Sequence, residues 1–324
     1  MLCAPCHGAK LEGYTADHAP SLINPTFIES ATDAYLKHSI GGGRPGTSMA
    51  AYSTVFGGPL DEPAIDNLVA YIRGQGAAAK PLPVRKATGN ADRGRGIYDS
   101  TCKSCHGDLA TRGEAVQLAN PNFLQEASDE FIRYAIALGR PGTKMEPFAG
   151  KLTDAQLDDV IAYVRALGGT EAAVKLLPEP TGKEPLILNP KGKAPTWTVK
   201  EDRFVSVDDV HKALVAKRRL VIIDARPPSE WMRVHAAGAV SIPYHDMKRL
   251  AEIPMDVDVV AYCACPHHLS GIVADELQKR GYAHALVLDE GILEWHRRGY
   301  PVVAAPGVTP PPAEPTVNIT TSPR

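Results

Sequence analysis

The hexapeptide Cys-Lys-Ser-Cys-His-Gly at residues 102–107 decides how the chain is organised, because residues 3–8 repeat its pattern as Cys-Ala-Pro-Cys-His-Gly. Two further landmarks recur at equal displacements: NPTF at 24–27 returns as NPNF at 120–123, and GRPGTSM at 43–49 returns as GRPGTKM at 139–145. Landmarks repeated in the same order indicate one duplicated unit, and two large copies are too few for a solenoid.

Length and charge limit the classes of protein to consider. A chain of 324 residues exceeds what one ordinary core supports, so two or three domains are expected. A formal net charge of -2 lacks the basic excess typical of nucleic-acid binders, so no nucleic-acid partner is expected. No apolar run approaches the length of a bilayer span, so no transmembrane segment is expected in this chain.

The cysteines form three close pairs, which indicates local chemical sites rather than a disulfide framework. They are Cys3 and Cys6, Cys102 and Cys105, and Cys263 and Cys265. The first two pairs belong to Cys-x-x-Cys-His, the attachment signature of c-type haem. Two thiols on a short helix each add to a vinyl group of one porphyrin, and the following histidine, His7 or His106, gives a neutral imidazole to the iron.

A lone Cys-x-x-Cys is also compatible with a redox disulfide or with half of a zinc site. The trailing histidine in both copies favours haem, and no second Cys-x-x-Cys completes a zinc tetrad. The sixth iron ligand must come from elsewhere in each copy. Met49 and Met145 follow the matching GRPGT loops, and a thioether there would raise the reduction potential. His18 and His38 compete with Met49 in the first copy but have no counterpart in the second.

Residues 1–169 resemble two class I cytochrome c domains in tandem. The resemblance implies two all-α folds and two covalently bound haem c groups, one held by Cys3, Cys6, His7 and Met49 and the other by Cys102, Cys105, His106 and Met145. It also implies a helix before each Cys-x-x-Cys-His. Residues 91–101, with Gly94 and Tyr98, supply that helix in the second copy, whereas the first copy begins directly at its motif and is expected to be N-terminally incomplete.

The pattern changes after about Phe204 to short β-branched runs separated by helical stretches, which predicts a parallel sheet covered by helices. The runs are at 221–224, 257–262 and 285–288. The motifs IDARPPSEW (223–231), HAAGAVSIP (235–243), VVAYC (259–263) and VLDEGILEWHRRGYPV (287–302) resemble those of a rhodanese domain. That resemblance implies a loop cysteine that carries sulfane sulfur as a persulfide.

The expected reactive loop reads CACPHHLSG and departs from the family, since it has no arginine. Cys263 is the preferred nucleophile because it directly follows a buried strand, whereas the spacing to the next helix favours Cys265. Three interpretations remain open for the loop: a persulfide carrier, a redox or metal site that also uses His267 and His268, and an inactive binding module.

The predicted fold is therefore multidomain, with two all-α cytochrome c folds followed by an α/β rhodanese-like domain with a parallel sheet. The predicted boundaries are cytochrome domain 1 at 1–76, a linker at 77–90, cytochrome domain 2 at 91–169, a Pro/Lys-rich linker at 170–203, the rhodanese-like domain at 204–304 and a disordered tail at 305–324.

The predicted function is electron transfer by a dihaem c-type cytochrome, coupled to oxidation or handling of a small sulfur compound. Two alternatives are a sulfurtransferase with accessory haems and a non-enzymatic redox sensor whose rhodanese module only docks. Redox proteins are the expected partners. Because haem of this type is attached outside the bacterial cytoplasm, a periplasmic location is expected, although the chain starts at Met1-Leu2-Cys3 without a visible signal sequence.

Overall fold

The computed structural model describes residues 2–14, 18–76, 78–168, 174–264 and 268–312. It divides into two compact units. One comprises residues 1–36, 68–170 and 312–324, and the other comprises 37–67 and 171–311. None of the helices in the described ranges combines the length and the apolar character that crossing a bilayer requires.

The two sequence copies contain the same order of helices. The first copy has α1 (Ala4–His7), α2 (Pro25–Ser30), α3 (Asp33–Gly42) and α4 (Glu62–Gly74), with a 3-10 turn at Thr54–Phe56 between the last two. The second copy has α5 (Ala91–Thr101), α6 (Lys103–His106), α7 (Pro121–Glu126), α8 (Asp129–Leu138) and α9 (Asp154–Leu167). Helices α1 to α4 correspond in order to α6 to α9, so α5 is the helix that only the second copy has among the described residues.

Helix α9 forms for the reasons that its sequence predicts. The Thr153 hydroxyl accepts from the Gln156 N–H, and the Gln156 side chain accepts from the Thr153 N–H, which completes a capping box. The apolar stripe lies on one buried face, and Gly168 caps the other end. The buried stripe residues are Leu157, Val160, Ile161, Val164 and Leu167.

The backbones of α5 and α9 come very close together where the two helices cross. A glycine in α5 makes this close approach possible. A Cβ atom on Gly94 would lie 1.9 Å from the carbonyl oxygen of Asp159. Tyr98, one turn later, is buried with its ring centroid 5.1 Å from that of Tyr163. Arg93 closes the edge of the contact with two hydrogen bonds of 2.8 Å to the Asp159 carboxylate. The crossing anchors the cysteine motif, since α5 ends one residue before Cys102.

Replacing Gly94 with alanine should therefore open the crossing. The added methyl group must displace backbone, which costs about 1–3 kcal/mol for an overpacked contact. Gly96→Ala is the matched control, because the same helix offers nothing within 4 Å of a Cβ there, and alanine should stabilise the helix slightly. Amide hydrogen exchange in peptides covering α5 and α9 should become faster in Gly94→Ala and not in Gly96→Ala. Equal exchange in both variants would contradict the tight crossing.

The second unit contains a six-stranded sheet with the spatial order β1-β2-β7-β6-β3-β5. Its strands are β1 (Val199–Lys200), β2 (Phe204–Val205), β3 (Leu220–Asp224), β5 (Val240–Ser241), β6 (Asp258–Tyr262) and β7 (Ala285–Leu288), and a separate pair joins β4 (Val234–Ala236) to β8 (Val302–Ala304). The helices are α10 (Val207–Val215), α11 (Pro228–Arg233), α12 (Leu269–Lys279) and α13 (Gly291–Arg297). All neighbours in the large sheet are parallel except β1 and β2. This confirms the α/β domain with a mostly parallel sheet.

The segment predicted as the linker 170–203 contributes to this domain along its second half. Leu188 and Leu220 exchange backbone hydrogen bonds of 2.8 and 3.3 Å. The Trp197 indole donates to the Asp258 carboxylate at 3.0 Å, and Leu188 and Trp197 pack against the apolar core. The proline content suggested a spacer, but these apolar side chains gain burial by docking on the sheet.

A buried ion pair lies where β3 ends. Arg226 donates to both oxygens of the Asp224 carboxylate, at 2.9 and 2.7 Å, and the Tyr262 hydroxyl donates to the same carboxylate at 2.9 Å. Burial disfavours the charge on Arg226, but the facing Asp224 carboxylate outweighs burial, and the pKa of Arg226 is raised. The pair is thus buried and held by several hydrogen bonds inside the domain, which indicates a structural role.

Asp224→Asn should strongly destabilise the α/β domain, by about 3–5 kcal/mol, because it leaves a buried guanidinium beside a neutral group. Urea unfolding followed by tryptophan fluorescence measures this domain, since Trp197, Trp231 and Trp295 all lie in it. Asp256→Asn is the control, because Asp256 pairs with Arg219 at 3.2 Å with its side chain 75% exposed. We expect no measurable change there, and a similar loss in both variants would contradict a special role for the buried pair.

Candidate functional sites

The Cys-x-x-Cys-His motif of the second copy forms one helical turn directly after α5. The Cys102 N–H donates to the Tyr98 carbonyl at 2.8 Å, and the His106 N–H donates to the Cys102 carbonyl at 3.0 Å. Gly107, with φ of +68°, then turns the chain, and the Tyr98 hydroxyl fixes the Gly107 carbonyl at 2.9 Å. The thiols of Cys102 and Cys105 are half-buried and are not joined in a disulfide.

The imidazole of His106 is oriented by its own backbone. Its Nδ1 atom lies 2.8 Å from the Val116 carbonyl oxygen, so Nδ1 must carry the proton and donate it. Burial lowers the pKa of His106, which favours the neutral ring. A neutral imidazole with Nδ1–H engaged presents the Nε2 lone pair, which is the form that binds a metal ion.

The first copy repeats this arrangement. The His7 N–H donates to the Cys3 carbonyl at 2.9 Å, and Nδ1 of the ring lies 2.9 Å from the Pro20 carbonyl oxygen. Burial lowers the pKa of His7. The two histidines therefore share one tautomer, one protonation state and one type of carbonyl partner.

The two loops that lead to the candidate methionine ligands close in the same way. In each loop the arginine N–H donates to the methionine carbonyl, the threonine hydroxyl donates to the arginine carbonyl, and the methionine N–H donates to the threonine oxygen. The loops are Arg44–Thr47–Met49, with distances of 2.7, 2.7 and 3.2 Å, and Arg140–Thr143–Met145, with distances of 2.8, 2.7 and 3.1 Å. Both methionines are half-buried.

The donor set suits a haem better than an ordinary metal site. Among the described residues, no three or more side chains of His, Cys, Asp or Glu are placed to hold a metal ion. Burial raises the pKa of Cys102 to about 11, and that of Cys3 is also raised, so both are neutral thiols in the metal-free chain. Neutral imidazole and thioether are the axial ligands of low-spin c-type haem iron.

In the α/β domain, Cys263 directly follows β6 at the carboxyl edge of the sheet, as its sequence position predicts. Its side chain is 1% exposed, and Sγ lies 3.3 Å from the hydroxyl of Ser270, which is in α12. Cys265 and His267 lie outside the described residues. Sequence reasoning did not single out Ser270, because a serine early in a helix carries no signal beyond capping.

A glycine packs directly against the backbone of Cys263 and Ala264. Gly291, with φ of +73°, begins α13, and a Cβ there would lie 2.9 Å from the carbonyl oxygens of both Cys263 and Ala264. The Ile292 N–H donates to the Cys263 carbonyl at 2.9 Å. The start of α13 thus fixes the backbone of Cys263. In the sequence, this close contact is indicated by the glycine of the DEGILEW stretch, Gly291.

Comparison with known proteins identifies a cytochrome c-type domain in the second copy. Residues 89–164 match the family described as cytochrome c oxidase, cbb3-type, subunit III. The cbb3-type cytochrome c oxidase subunit CcoP of Azospirillum sp. (strain B510) is 28% identical over 185 residues, which are 52% of this chain. The chain spans 59% of the length of that relative. Such a domain implies electron transfer by a haem c.

The C-terminal domain matches a second family. Residues 206–298 match the rhodanese-like domain. A sulfurtransferase of Allochromatium vinosum is 32% identical over 104 residues, which are 32% of this chain and 96% of that protein. The protein named HTH-type transcriptional regulator Rv0324 of Mycobacterium tuberculosis is 26% identical over 223 residues, 66% of this chain and 95% of that protein. Through its C-terminal domain, the chain belongs to the rhodanese-like family.

Proposed function

We propose that the chain is a dihaem c-type cytochrome that carries electrons and works together with sulfane-sulfur chemistry in its rhodanese-like domain. Each copy binds one haem c: through Cys3, Cys6, His7 and Met49 in the first, and through Cys102, Cys105, His106 and Met145 in the second. The proposal includes the two cytochrome domains at 1–76 and 91–169, an α/β domain that also takes in the second half of the segment 170–203, and a location outside the cytoplasm, where such haem is attached.

One observation carries the proposal: two copies of the motif hold their histidines in the same neutral tautomer. The Nδ1 contacts of His7 with Pro20 and of His106 with Val116 differ by only 0.1 Å. A single such turn is also found in zinc or disulfide sites. A disulfide site needs no trailing histidine, and among the described residues no three side chains of His, Cys, Asp or Glu are placed to hold a zinc ion. The matching loops before Met49 and Met145 add the second axial candidate in both copies.

The bound haem would supply a one-electron redox centre, and the surrounding residues set its properties. The two cysteines of each motif would hold the haem covalently, and the backbone carbonyl on Nδ1–H would strengthen the imidazole as a ligand. The closed loop already orders the methionine, which would reduce the conformational entropy lost on binding.

The proposed sulfur step uses the thiolate of Cys263. The thiolate attacks the outer sulfur of a thiosulfate-type donor, a new sulfur–sulfur bond forms on the cysteine, and sulfite leaves with the electron pair of the broken bond. This step is redox-neutral. Electrons would reach the haems from a later oxidation of the sulfur product. Oxidation of one sulfite with water to sulfate releases two protons and two electrons, one for each haem.

The burial of Cys263 favours a second candidate function, a redox sensor whose rhodanese module docks without catalysis. A thiol that is 1% exposed and contacts the Ser270 hydroxyl is poorly placed to attack a donor in solution. Cys265, two residues later, is the alternative nucleophile.

The first test is haem stoichiometry. We expect two haems per chain in the pyridine haemochrome spectrum of protein matured in an exporting host. Replacing Cys102 and Cys105 with alanine, or Cys3 and Cys6, should remove one haem each. Cys263→Ser is the control and should keep both. A matured chain without covalent porphyrin would end the proposal, and one haem in the unaltered protein would limit it to one copy.

The second test separates the sulfur functions. We expect Cys263→Ser to abolish sulfur transfer from thiosulfate to cyanide and to slow the reduction of the haems by thiosulfate, while Cys265→Ser keeps both. The opposite pattern would assign the nucleophile to Cys265. If neither variant changes either reaction, the coupled function is wrong and the docking module is favoured.

A further inference from the structure

The methionine loop of the second copy is held by residues of the first copy. Thr26 in α2 donates its hydroxyl to the Gly139 carbonyl at 2.7 Å, and Asn24 donates its side-chain N–H to the Pro141 carbonyl at 2.9 Å. Arg140, between these two carbonyls, donates from its guanidinium to the Thr26 oxygen at 3.1 Å. These five residues are named the inter-copy clasp.

The two side chains that the first copy contributes to the clasp are buried, and aromatic rings flank its arginine. Asn24 and Thr26 are 7% and 8% exposed. The Arg140 guanidinium carbon lies 5.8 Å from the ring centroid of Phe27 in the first copy and 5.7 Å from that of Phe131 in the second. Burial lowers the pKa of Arg140 to about 10, but the group stays charged at neutral pH. Hydrogen bonds in such surroundings are strong, and the loss of one partner leaves the other unsatisfied.

The clasp acts on the segment that carries Met145. Gly139 has φ of +63° and lies where α8 ends, and the Arg140 N–H closes the loop on the Met145 carbonyl. In the corresponding loop of the first copy, the Arg44 guanidinium donates to Ser39 of the same copy at 2.6 Å. The loops are thus alike in backbone but differ in the side chain that holds their arginine.

We propose that Asn24, Thr26 and Arg140 are positioning residues, through which the first copy holds Met145 in place for the iron of the second. The inference rests on the proposed haem ligation. It makes the sixth ligand of one haem depend on the folding of the neighbouring copy. Loosening the clasp should free Met145 to leave the iron and let an outside ligand take its place.

The test uses the full, haem-loaded chain carrying Met49→Ala, so that Met145 alone can form a methionine–iron bond. Two readouts follow that bond: the red absorption band of methionine-ligated ferric haem, and the imidazole affinity measured from the loss of that same band during a titration. Thr26→Val removes the hydroxyl from the clasp. Ser30→Ala is the matched control, since Ser30 is a buried hydroxyl on the same helix that bonds only to α2 carbonyls, those of Thr26 and Phe27.

We expect Thr26→Val to weaken the red band and to raise the imidazole affinity about tenfold, the effect of losing one charge-assisted hydrogen bond. Arg140→Gln should act similarly, and Arg140→Lys should restore most of the band because it can still donate to Thr26. Ser30→Ala should change neither readout.

Three outcomes would overturn the inference. Unchanged band and affinity in Thr26→Val would mean that the clasp does not hold Met145. Equal changes in Thr26→Val and Ser30→Ala would mean that a general loosening of the first copy is responsible. Absence of the band in the Met49→Ala parent, with haem present at Cys102 and Cys105, would mean that Met145 is no ligand, whereas absence of covalent haem altogether would refute the proposed function itself.

Discussion

The hydrogen bond from Nδ1 of a motif histidine to a backbone carbonyl is the constraint on which the proposed electron-transfer chemistry depends. It joins the helical turn of the cysteines to a loop about ten residues later, from His106 to Val116, and so fixes the loop and the ring together. A ring held only by its side-chain torsions would lose entropy on binding iron and would present either nitrogen. With Nδ1 occupied and burial keeping the ring neutral, only Nε2 can bind a metal ion. Because His7 meets the same condition against Pro20, the two copies are chemically alike where it matters most.

The features that arise from local rules have their signals in the sequence itself. The capping box of Thr153 and Gln156, the buried stripe of α9 and the apolar strands that end at Asp224 and Tyr262 follow from side-chain periodicity and from hydrogen bonds within a few residues. The same holds for Gly94, which tolerates a helix crossing that a Cβ would prevent. In the cap, the helix and the strands, the residues that interact are close together in sequence. At Gly94 the two backbones approach so closely that there is no space for a Cβ atom.

Features that depend on distant partners were beyond sequence reasoning. A proline-rich stretch indicated a spacer, yet Leu188 pairs with Leu220 and Trp197 donates to Asp258. The start of β3 lies outside its pairing with β5, and Asp258 offers a buried carboxylate. The duplicated GRPGT loops gave no sign that Arg140 and Arg44 would find different partners, since a guanidinium donates to any acceptor that the fold brings near. Periodicity identifies which residues are buried, but it does not identify the partner of a buried polar group.

The cysteines of the haem motifs and Cys263 differ in solvent exposure, and this difference supports separate chemical roles for them. Cys102 and Cys105 lie on a half-exposed helical turn, where a porphyrin edge can approach both thiols. Cys263 lies at the end of a central strand, with its carbonyl bound by α13 and its buried thiol against Ser270. A large redox group and a small sulfur substrate therefore cannot compete for the same thiols. The geometry thus matches the two proposed roles, since the helical turn exposes one set of cysteines and the parallel sheet buries Cys263.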